Sequence, residues 1–545
     1  MAAALAATEL GLSSLIVEKT GYVGGSTARS GGAFWLPGNA VLAREGSRDT
    51  ADEARRYLQA VVGGDSPADR VESFLSHAPA TLEMLARMTP MTFMWAEGYS
   101  DYHPEEPGGS AVGRTCECRP FNAARLGKHR KDLRPGVMKT SFPMPVTGAD
   151  YRWLNLMARA PRKAMPKIVK RAAQGLGGLL IGRHYVAGGQ ALAAGMYAGV
   201  LRAGVPVWTN TALARLTTDG GRVSGAVVTR DGIEVTVDAR RGVILAAGGY
   251  DHEMGWRRKF QSESLGDHAS LGSEGNTGDA IRLAQDLGAD ITLMDQAWWF
   301  PAFAPMPGAD PLVMLAERSL PGSLIVDQTG ARFVNEACDY MSFGQRVLQR
   351  EQAGTPVEQM WLIFDQTYRN SYLMAAELFP RMPIPKSWYE AGVAHRADDF
   401  PTLAQRIGVS EDAFGTTLRR FNEMAATGRD TDFGRGDSAY DRYYGDPTVG
   451  PNPNLRPLTD GPFYAVKMVL SDLGTCGGLR ADSRGRVLRE DRSAIDGLYA
   501  IGNTAGNVFG ASYPGAGATI GQGLVYGYIA AHDAAAHDFA TSPVG

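Results

Sequence analysis

Leu15-Ile16-Val17-Glu18-Lys19 is a short apolar run closed by an acid and a base, and the class of fold turns on it. Residues 2–10, directly before it, have the Ala- and Leu-rich make-up of a helix. The run itself has the continuous apolar character of a strand buried on both faces in a parallel sheet. Helix, buried strand and terminal Glu form the second half of a βαβ dinucleotide-binding unit, in which the acid takes the ribose hydroxyls. Such a unit places a strand and a G-x-G-x-x-G loop before the helix, where this sequence has Met1. The expectation is a misassigned start or a fragment; a chain outside the dinucleotide fold is the third alternative.

The glycine-rich segments downstream favour a flavin. Gly24-Gly25-Ser26-Thr27 and Ser30-Gly31-Gly32 set two glycine-rich turns soon after Glu18, where backbone has to pass close to pyrophosphate and isoalloxazine. Far along the chain, Arg241-Gly242-Val243-Ile244-Leu245-Ala246-Ala247-Gly248-Gly249 is an apolar strand ending in small residues. A meander over residues 212–238, with a turn at Asp219-Gly220-Gly221, precedes it, and Asn276-Thr277-Gly278-Asp279 opens a further helix.

Near the C-terminus stands Gly510-Ala511-Ser512-Tyr513-Pro514-Gly515-Ala516-Gly517-Ala518-Thr519-Ile520-Gly521, followed by a helix-like run to residue 531. Such a loop brings N–H groups to a helix N-terminus, where the dipole favours negative charge. One side can face the flavin edge and the other a carbonyl oxygen that becomes an enolate; the plain alternative is a glycine-rich turn before a packing helix. The preceding run, Asp496-Gly497-Leu498-Tyr499-Ala500-Ile501-Gly502-Asn503, is a buried strand delivering a polar residue at its C-terminal end.

At 545 residues the chain exceeds a single core, so two or three domains are expected. With 55 Lys and Arg against 58 Asp and Glu, there is no whole-chain electrostatic case for nucleic acid. No window is apolar enough for a transmembrane helix, and residues 1–10 lack the basic region of a signal peptide. Four cysteines, Cys116, Cys118, Cys338 and Cys476, suit a reducing compartment, and the expected location is cytoplasmic. Cys116-x-Cys118 lacks a second ligand pair, so no metal is expected. Residues 151–183 carry Arg152, Arg159, Arg162, Lys163, Lys167, Lys170, Arg171 and Arg183 without an acid, among apolar residues. This basic amphipathic insertion suits peripheral contact with a membrane interface, or a solvated helical insertion.

The chain resembles the flavoproteins of the fumarate reductase and succinate dehydrogenase superfamily, and within them the bacterial 3-ketosteroid Δ1-dehydrogenases. The motifs that carry the resemblance are Gly98-Tyr99-Ser100-Asp101-Tyr102, Asn335-Glu336-Ala337-Cys338-Asp339-Tyr340 and Tyr513-Pro514-Gly515-Ala516-Gly517. Asp295-Gln296-Ala297-Trp298, Leu470-Ser471-Asp472-Leu473-Gly474-Thr475 and residues 497–503 support them. The resemblance implies an α/β fold: a Rossmann-like FAD-binding domain from residues 1–295 and 475–545, its first strand and glycine loop missing, with an inserted α+β catalytic domain at 296–474. It implies FAD contacts at Glu18, Lys19, Gly24, Gly25, Ser26, Ser30, Gly31, Gly32, Ala214, Ala247, Gly248, Asn276, Asp279, Gly502, Asn503, Thr519 and Ile520. Covalently flavinylated members use a His soon after the Gly24-Gly25 turn; Ser26-Thr27-Ala28-Arg29-Ser30 has none, so FAD is expected to be non-covalent.

The implied reaction desaturates C1–C2 of a 3-ketosteroid in steroid degradation, with a proton leaving C2 and a hydride passing from C1 to flavin N5. The Tyr513 hydroxyl and the Gly517 N–H would donate to the C3 oxygen. Tyr340 would be the base, assisted by a hydrogen bond from Tyr102, because a phenol with an ordinary pKa near ~10 needs help near neutrality. Trp298-Trp299-Phe300 would suit a flat apolar substrate. The partners implied are the steroid and an unidentified electron acceptor. A 4-dehydrogenase of 5α-3-ketosteroids and an inactive FAD- or steroid-binding protein remain as alternatives.

Overall fold

The computed structural model describes residues 1–137, 143–267 and 270–537; the last residues of the expected second FAD segment, 538–545, lie outside these. Ala2–Glu9 is a helix whose buried Ala2, Ala3, Ala4 and Ala6 lie against the helix Ala518–Ala536. The approach is close because the facing residues are small: a Cβ on Gly527 would stand 3.1 Å from the Ala3 nitrogen.

The strand Ile16–Val17 pairs in parallel with Val207–Trp208. Val243–Leu245 pairs in parallel with Ala494–Ala500, which is antiparallel to Arg486–Leu488. The expected parallel sheet is thus present as two separate pieces. Among the described residues, neither Ile16–Val17 nor Val243–Leu245 has a second neighbouring strand, and Val17 is therefore 37% exposed where a central strand would bury it. The expected meander is found as Thr211–Asp219, Arg222–Arg230 and Ile233–Asp238. Gly220 and Gly221 both have positive φ, the conformation that suits a two-residue hairpin turn.

A six-stranded antiparallel sheet is built from Ala297–Phe303, Leu312–Val313, Ser323–Asp327, Met360–Asp365, Ala394–Ala397 and Phe463–Thr475. Its strands are apolar without alternation because both faces are covered. Ile325, Leu362 and Phe364 enter one core, shared with Tyr340 and Tyr440. Leu324, Val326, Trp361 and Ile363 enter another, under the helices Phe400–Ile407 and Glu411–Thr427.

The basic stretch forms two helices, Gly148–Asn155 and Pro161–Leu180. The first opens on a capping box between Thr147 and Asp150. Not all its cations face solvent. Arg171 is buried with its Nε 2.6 Å from Asp150 Oδ2, Arg159 bonds Asp446 at 2.9 Å, and Arg152 lies over the Tyr443 ring. Each turns inward because a counter-charge or aromatic face is within reach. Met165, Val169, Leu176, Leu180 and Ile181 are exposed instead, the last two at 89% and 66%.

Candidate active site

Three distant segments meet at one aromatic cluster. Tyr340 is the first residue of the helix Tyr340–Gln352, whose N-cap Asp339 accepts from the Ser342 N–H at 3.0 Å. Tyr99 and Tyr102 lie on a loop pinned from beneath: Arg114 is ion-paired with Asp49 and Asp101, and Asp101 also accepts from Trp35 Nε1 at 2.9 Å. The Tyr102 N–H donates to the Pro514 carbonyl at 3.0 Å, which ties this loop to the one that carries Tyr513.

Gly517, with φ of 88°, is the N-cap of Ala518–Ala536, and a Cβ there would lie 2.1 Å from the Ala33 carbonyl oxygen. Only glycine fits this close passage. The chain then doubles back, and the Gly517 N–H donates to the Tyr513 hydroxyl at 3.4 Å. The Gly517 N–H and the Tyr513 hydroxyl thereby lie side by side at the start of the helix. The Tyr513 ring packs 4.9 Å from Tyr102 and 4.8 Å from Trp298.

The expected hydrogen bond from Tyr102 to Tyr340 is not the one found. Tyr102 meets Tyr340 ring edge to ring face at 5.7 Å between centroids. The Tyr340 hydroxyl instead lies 3.4 Å from that of Tyr99, which accepts from Tyr444 at 3.2 Å. Tyr99 and Tyr102 are three residues apart on a loop, so their hydroxyls diverge, and Tyr99 is held flat against Tyr443 at 4.5 Å. Burial pushes the hydroxyls of Tyr99, Tyr102, Tyr440 and Tyr444 well above the ordinary phenol range, so they stay protonated at neutral pH.

Tyr440 and Tyr444 were not among the expected site residues, although Ala439-Tyr440-Asp441-Arg442-Tyr443-Tyr444 is dense in tyrosine. Trp298 lies at a strand irregularity opposite Thr475 and Asp472, which turns its ring to Tyr513 and its Nε1 to Asn503 Oδ1 at 3.0 Å. Trp299, in the same buried cluster, is turned elsewhere, with Arg257 over its ring and Gly344 against its Cβ.

The expected cofactor residues form three groups. Ser26 Oγ accepts from the Ser273 N–H at 2.9 Å and from Asn276 Nδ2 at 3.0 Å, and Gly248 lies against Asn276 with no room for a Cβ. Lys19 bonds Thr277 and Asp279, spending its charge on the protein, while Glu18 uses one carboxylate oxygen on Thr20. Asn503 Oδ1 also accepts from Thr519 Oγ1 at 3.2 Å, close to Gly502 and Ile520 at the start of the last helix.

Ser30 and Gly32 shape the chain after the first glycine turn. The Ser30 hydroxyl closes its own turn, and a Gly32 Cβ would strike the Gly188 backbone at 2.1 Å. Ala214 sits at a bulge in its strand.

These residues fit FAD. Gly25 and Gly31 have open space where a Cβ would stand, and Ala246 and Ala247 are exposed at the C-terminal end of a parallel strand, where the crevice of such sheets lies. The first-turn N–H groups of Ala518–Ala536 carry no side-chain cap. A polar cavity of about 420 Å³ adjoins Tyr513, lined in part by Asp65, His103, Asp339, Gln345 and Ser512.

The family model for an FAD binding domain matches residues 1–520. A 3-oxosteroid 1-dehydrogenase of Mycolicibacterium smegmatis is 46% identical, covering 98% of this chain and 95% of its own. A 4-oxocyclohex-2-ene-1-carboxylate 5-dehydrogenase of Sinomonas cyclohexanicum is 35% identical, covering 98% and 92%. The crystal structure of a 3-ketosteroid delta1-dehydrogenase from Sterolibacterium denitrificans, in complex with 1,4-androstadiene-3,17-dione, superposes with a TM-score of 0.93 at 36% identity, covering 98% and 97%.

Proposed function

From the premise that this chain belongs to the FAD-binding family of the 3-oxosteroid 1-dehydrogenases, we propose that it desaturates the C1–C2 bond of a 3-ketosteroid. The chain is an FAD-dependent oxidoreductase. FAD, when bound, supplies the acceptor for the hydride from C1, and an external acceptor of unidentified nature reoxidises it.

The protein handles the proton and the oxygen. The Tyr513 hydroxyl and the Gly517 N–H donate to the C3 oxygen as it gains enolate charge, the arrangement of an oxyanion hole. Tyr340 takes the proton from C2. Tyr99, in place of Tyr102, is its hydrogen-bonding partner, and Tyr444 orients Tyr99. Tyr102 holds the Tyr340 and Tyr513 rings apart by edge contacts. The observation that carries this reading is the meeting of Gly517 N–H and Tyr513 hydroxyl in one cluster with Tyr340.

For FAD, the reading assigns Glu18 to the adenosine ribose, and Gly24, Gly25, Ser26, Gly31, Ala247, Gly248 and Asn276 to the crevice. It assigns Gly502, Asn503, Thr519 and Ile520 to the end nearest Tyr513. The antiparallel sheet, from Ala297 to Thr475, supports a catalytic domain at 296–474.

A membrane surface is the second part of the proposal. Met165, Val169, Leu176 and Leu180 line one stripe of the helix Pro161–Leu180, bordered by exposed Arg162, Lys163 and Lys170. An apolar stripe flanked by cations suits the interface of an anionic bilayer, where a sparingly soluble steroid partitions. Among the described residues no helix is long and apolar enough to cross a membrane.

The test is anaerobic mixing of the FAD-loaded protein with a 3-ketosteroid, followed by NMR of the product. Bleaching with a new C1–C2 double bond is expected. A C4–C5 double bond identifies the 4-dehydrogenase, and an unbleached flavin with bound steroid identifies a binding protein.

A further inference from the structure

Arg318 is fully buried beside Tyr340 and makes no close ion pair; the carboxylates of Asp339 and Asp441 act on it only from beyond ion-pairing distance. Its guanidinium carbon lies 5.1 Å from the centre of the Tyr340 ring. Nη1 donates to the carbonyl oxygens of Glu336 and Cys338, at the turn that leads into Tyr340. Nε and Nη2 have no hydrogen-bond partner, and neither does the buried Tyr440 hydroxyl nearby. Several other buried arginines are matched: Arg114 faces Asp49 and Asp101, Arg257 faces Asp472, and Arg332 faces Glu336 and Asp430. Arg369, like Arg318, bonds only carbonyl oxygens, but it does not lie over a tyrosine of the candidate site. No carboxylate among the described residues lies within ion-pairing distance of Arg318. A buried cation left unmatched is costly unless an anion appears at some stage to meet it.

We propose that Arg318 is the counter-charge for a Tyr340 phenolate, the form in which Tyr340 takes the proton from the substrate. The inference rests on Tyr340 being the base. Tyr340 first releases its own proton to water. Its oxygen then forms a bond to the C2 proton as the C2–H bond breaks, and the electron pair stays on the substrate. One proton leaves Tyr340 and one arrives, and Arg318 exchanges none.

The groups around Tyr340 are the phenols of Tyr99, Tyr102, Tyr151, Tyr440, Tyr443, Tyr444 and Tyr513, the carboxylate of the neighbouring Asp339, and Arg318 as the cation. Burial holds the flanking phenols of Tyr99, Tyr102, Tyr440 and Tyr444 neutral. Asp339 works against a phenolate, so Arg318 is the residue that favours one. It acts through Tyr340 and is a positioning residue in the electrostatic sense. The guanidinium lies over the ring that would share the phenolate charge, and burial keeps water from screening the two.

Arg318→Met and Arg318→Lys, FAD-loaded, are to be compared with the unaltered enzyme for substrate-driven flavin reduction from pH 6 to 10. Arg318→Met is expected to slow reduction on the order of 10²-fold at neutral pH and to move the rising limb upward by about two pH units, converging on the unaltered rate at high pH. Arg318→Lys is expected to restore part of the shift. A loss of rate equal at every pH, or an unshifted limb, overturns the proposal and leaves Arg318 as a clip on the 336–338 turn. If Arg318→Met does not yield a loaded enzyme, the limb of Arg318→Lys decides in the same way. Tyr340→Phe, run alongside, separates the two ideas: if it stays active, Tyr340 is not the base; if it is inactive and Arg318→Met has an unshifted limb, only the role of Arg318 fails.

Discussion

The hydroxyl of Tyr99 lies 3.4 Å from the hydroxyl of Tyr340, across 241 residues of chain. Tyr99 in turn accepts from Tyr444, so the proposed base is the end of a file of phenols. A phenol at the end of such a file has a fixed rotor and a fixed partner, both of which matter for moving a proton.

Tyr340→Phe keeps the ring packing and removes the proton acceptor. Flavin reduction by a 3-ketosteroid should slow by about 10²–10⁴, the usual worth of a general base, while steroid affinity changes little. Tyr513→Phe should lower both rate and affinity, because its hydroxyl serves the ketone before and during enolate formation. Stopped-flow bleaching over a range of steroid concentrations gives both quantities.

Tyr99→Phe should slow the same step by about tenfold, on the order of one neutral hydrogen bond with its network. Tyr102→Phe, which loses no bond to Tyr340, should stay within about threefold. The opposite ranking would restore Tyr102 as the partner of the base.

Glu18 keeps one carboxylate oxygen off Thr20. Glu18→Ala should weaken FAD about 10–100-fold, as the loss of charge-assisted hydrogen bonds does. Turnover of the fully loaded variant should stay close to that of the unaltered enzyme, with affinity read by flavin fluorescence titration.

Glu117 is buried between the Thr115–Cys118 strand and the start of the helix Gly148–Asn155, with Oε2 unpartnered, and burial pushes its carboxyl up to about 7. The folded state therefore holds its proton more tightly than the unfolded state does. Its contribution to stability is complete below about pH 4.5 and is lost as pH rises through 7, by up to ~3 kcal/mol. Glu117→Gln should raise the Tm at pH 8 and hardly change it at pH 5, by scanning calorimetry. Some slope should remain, because Glu317 is raised to about 7 in the same way.

Leu176→Ser, Leu180→Ser and Ile181→Ser together should release the protein from anionic liposomes without loss of turnover on detergent-dispersed steroid. Lys163→Gln with Lys170→Gln should weaken binding by about 1 kcal/mol per charge. Arg171→Gln does not belong in that set, since Arg171 is bonded to Asp150. No sedimentation of the unaltered protein at low salt would end the membrane proposal.

Local features were legible in the sequence. Tyr513 and Gly517 sit four residues apart, and between them Pro514 fixes a dihedral while the small residues allow a tight turn. The strand Val243–Leu245 announced itself by an apolar run ending in small residues, and Ala494–Ala500 by the polar Asn503 just beyond its end. What could not be read was which of two tyrosines on one loop turns to Tyr340, because that depends on Tyr443, from a remote part of the chain, offering Tyr99 a flat face. Arg318 was equally hidden. Within Ala316-Glu317-Arg318-Ser319-Leu320 nothing distinguishes a buried arginine from an exposed one.

Phe463–Thr475 runs 13 residues, a span of about 40 Å. At one end it pairs with Met360–Asp365 and Ala394–Ala397, and along the rest with Ala297–Phe303. Its far end is clamped in other parts of the chain: Asp472 to Arg257 and Ser270, and Thr475 to Tyr250 and Asp251. A clamshell hinge needs a few residues free to swing their dihedrals, and a laddered strand has none to spare. The strand is a girder: swinging the antiparallel sheet away from Arg257, Ser270, Tyr250 and Asp251 would break hydrogen bonds at its far end.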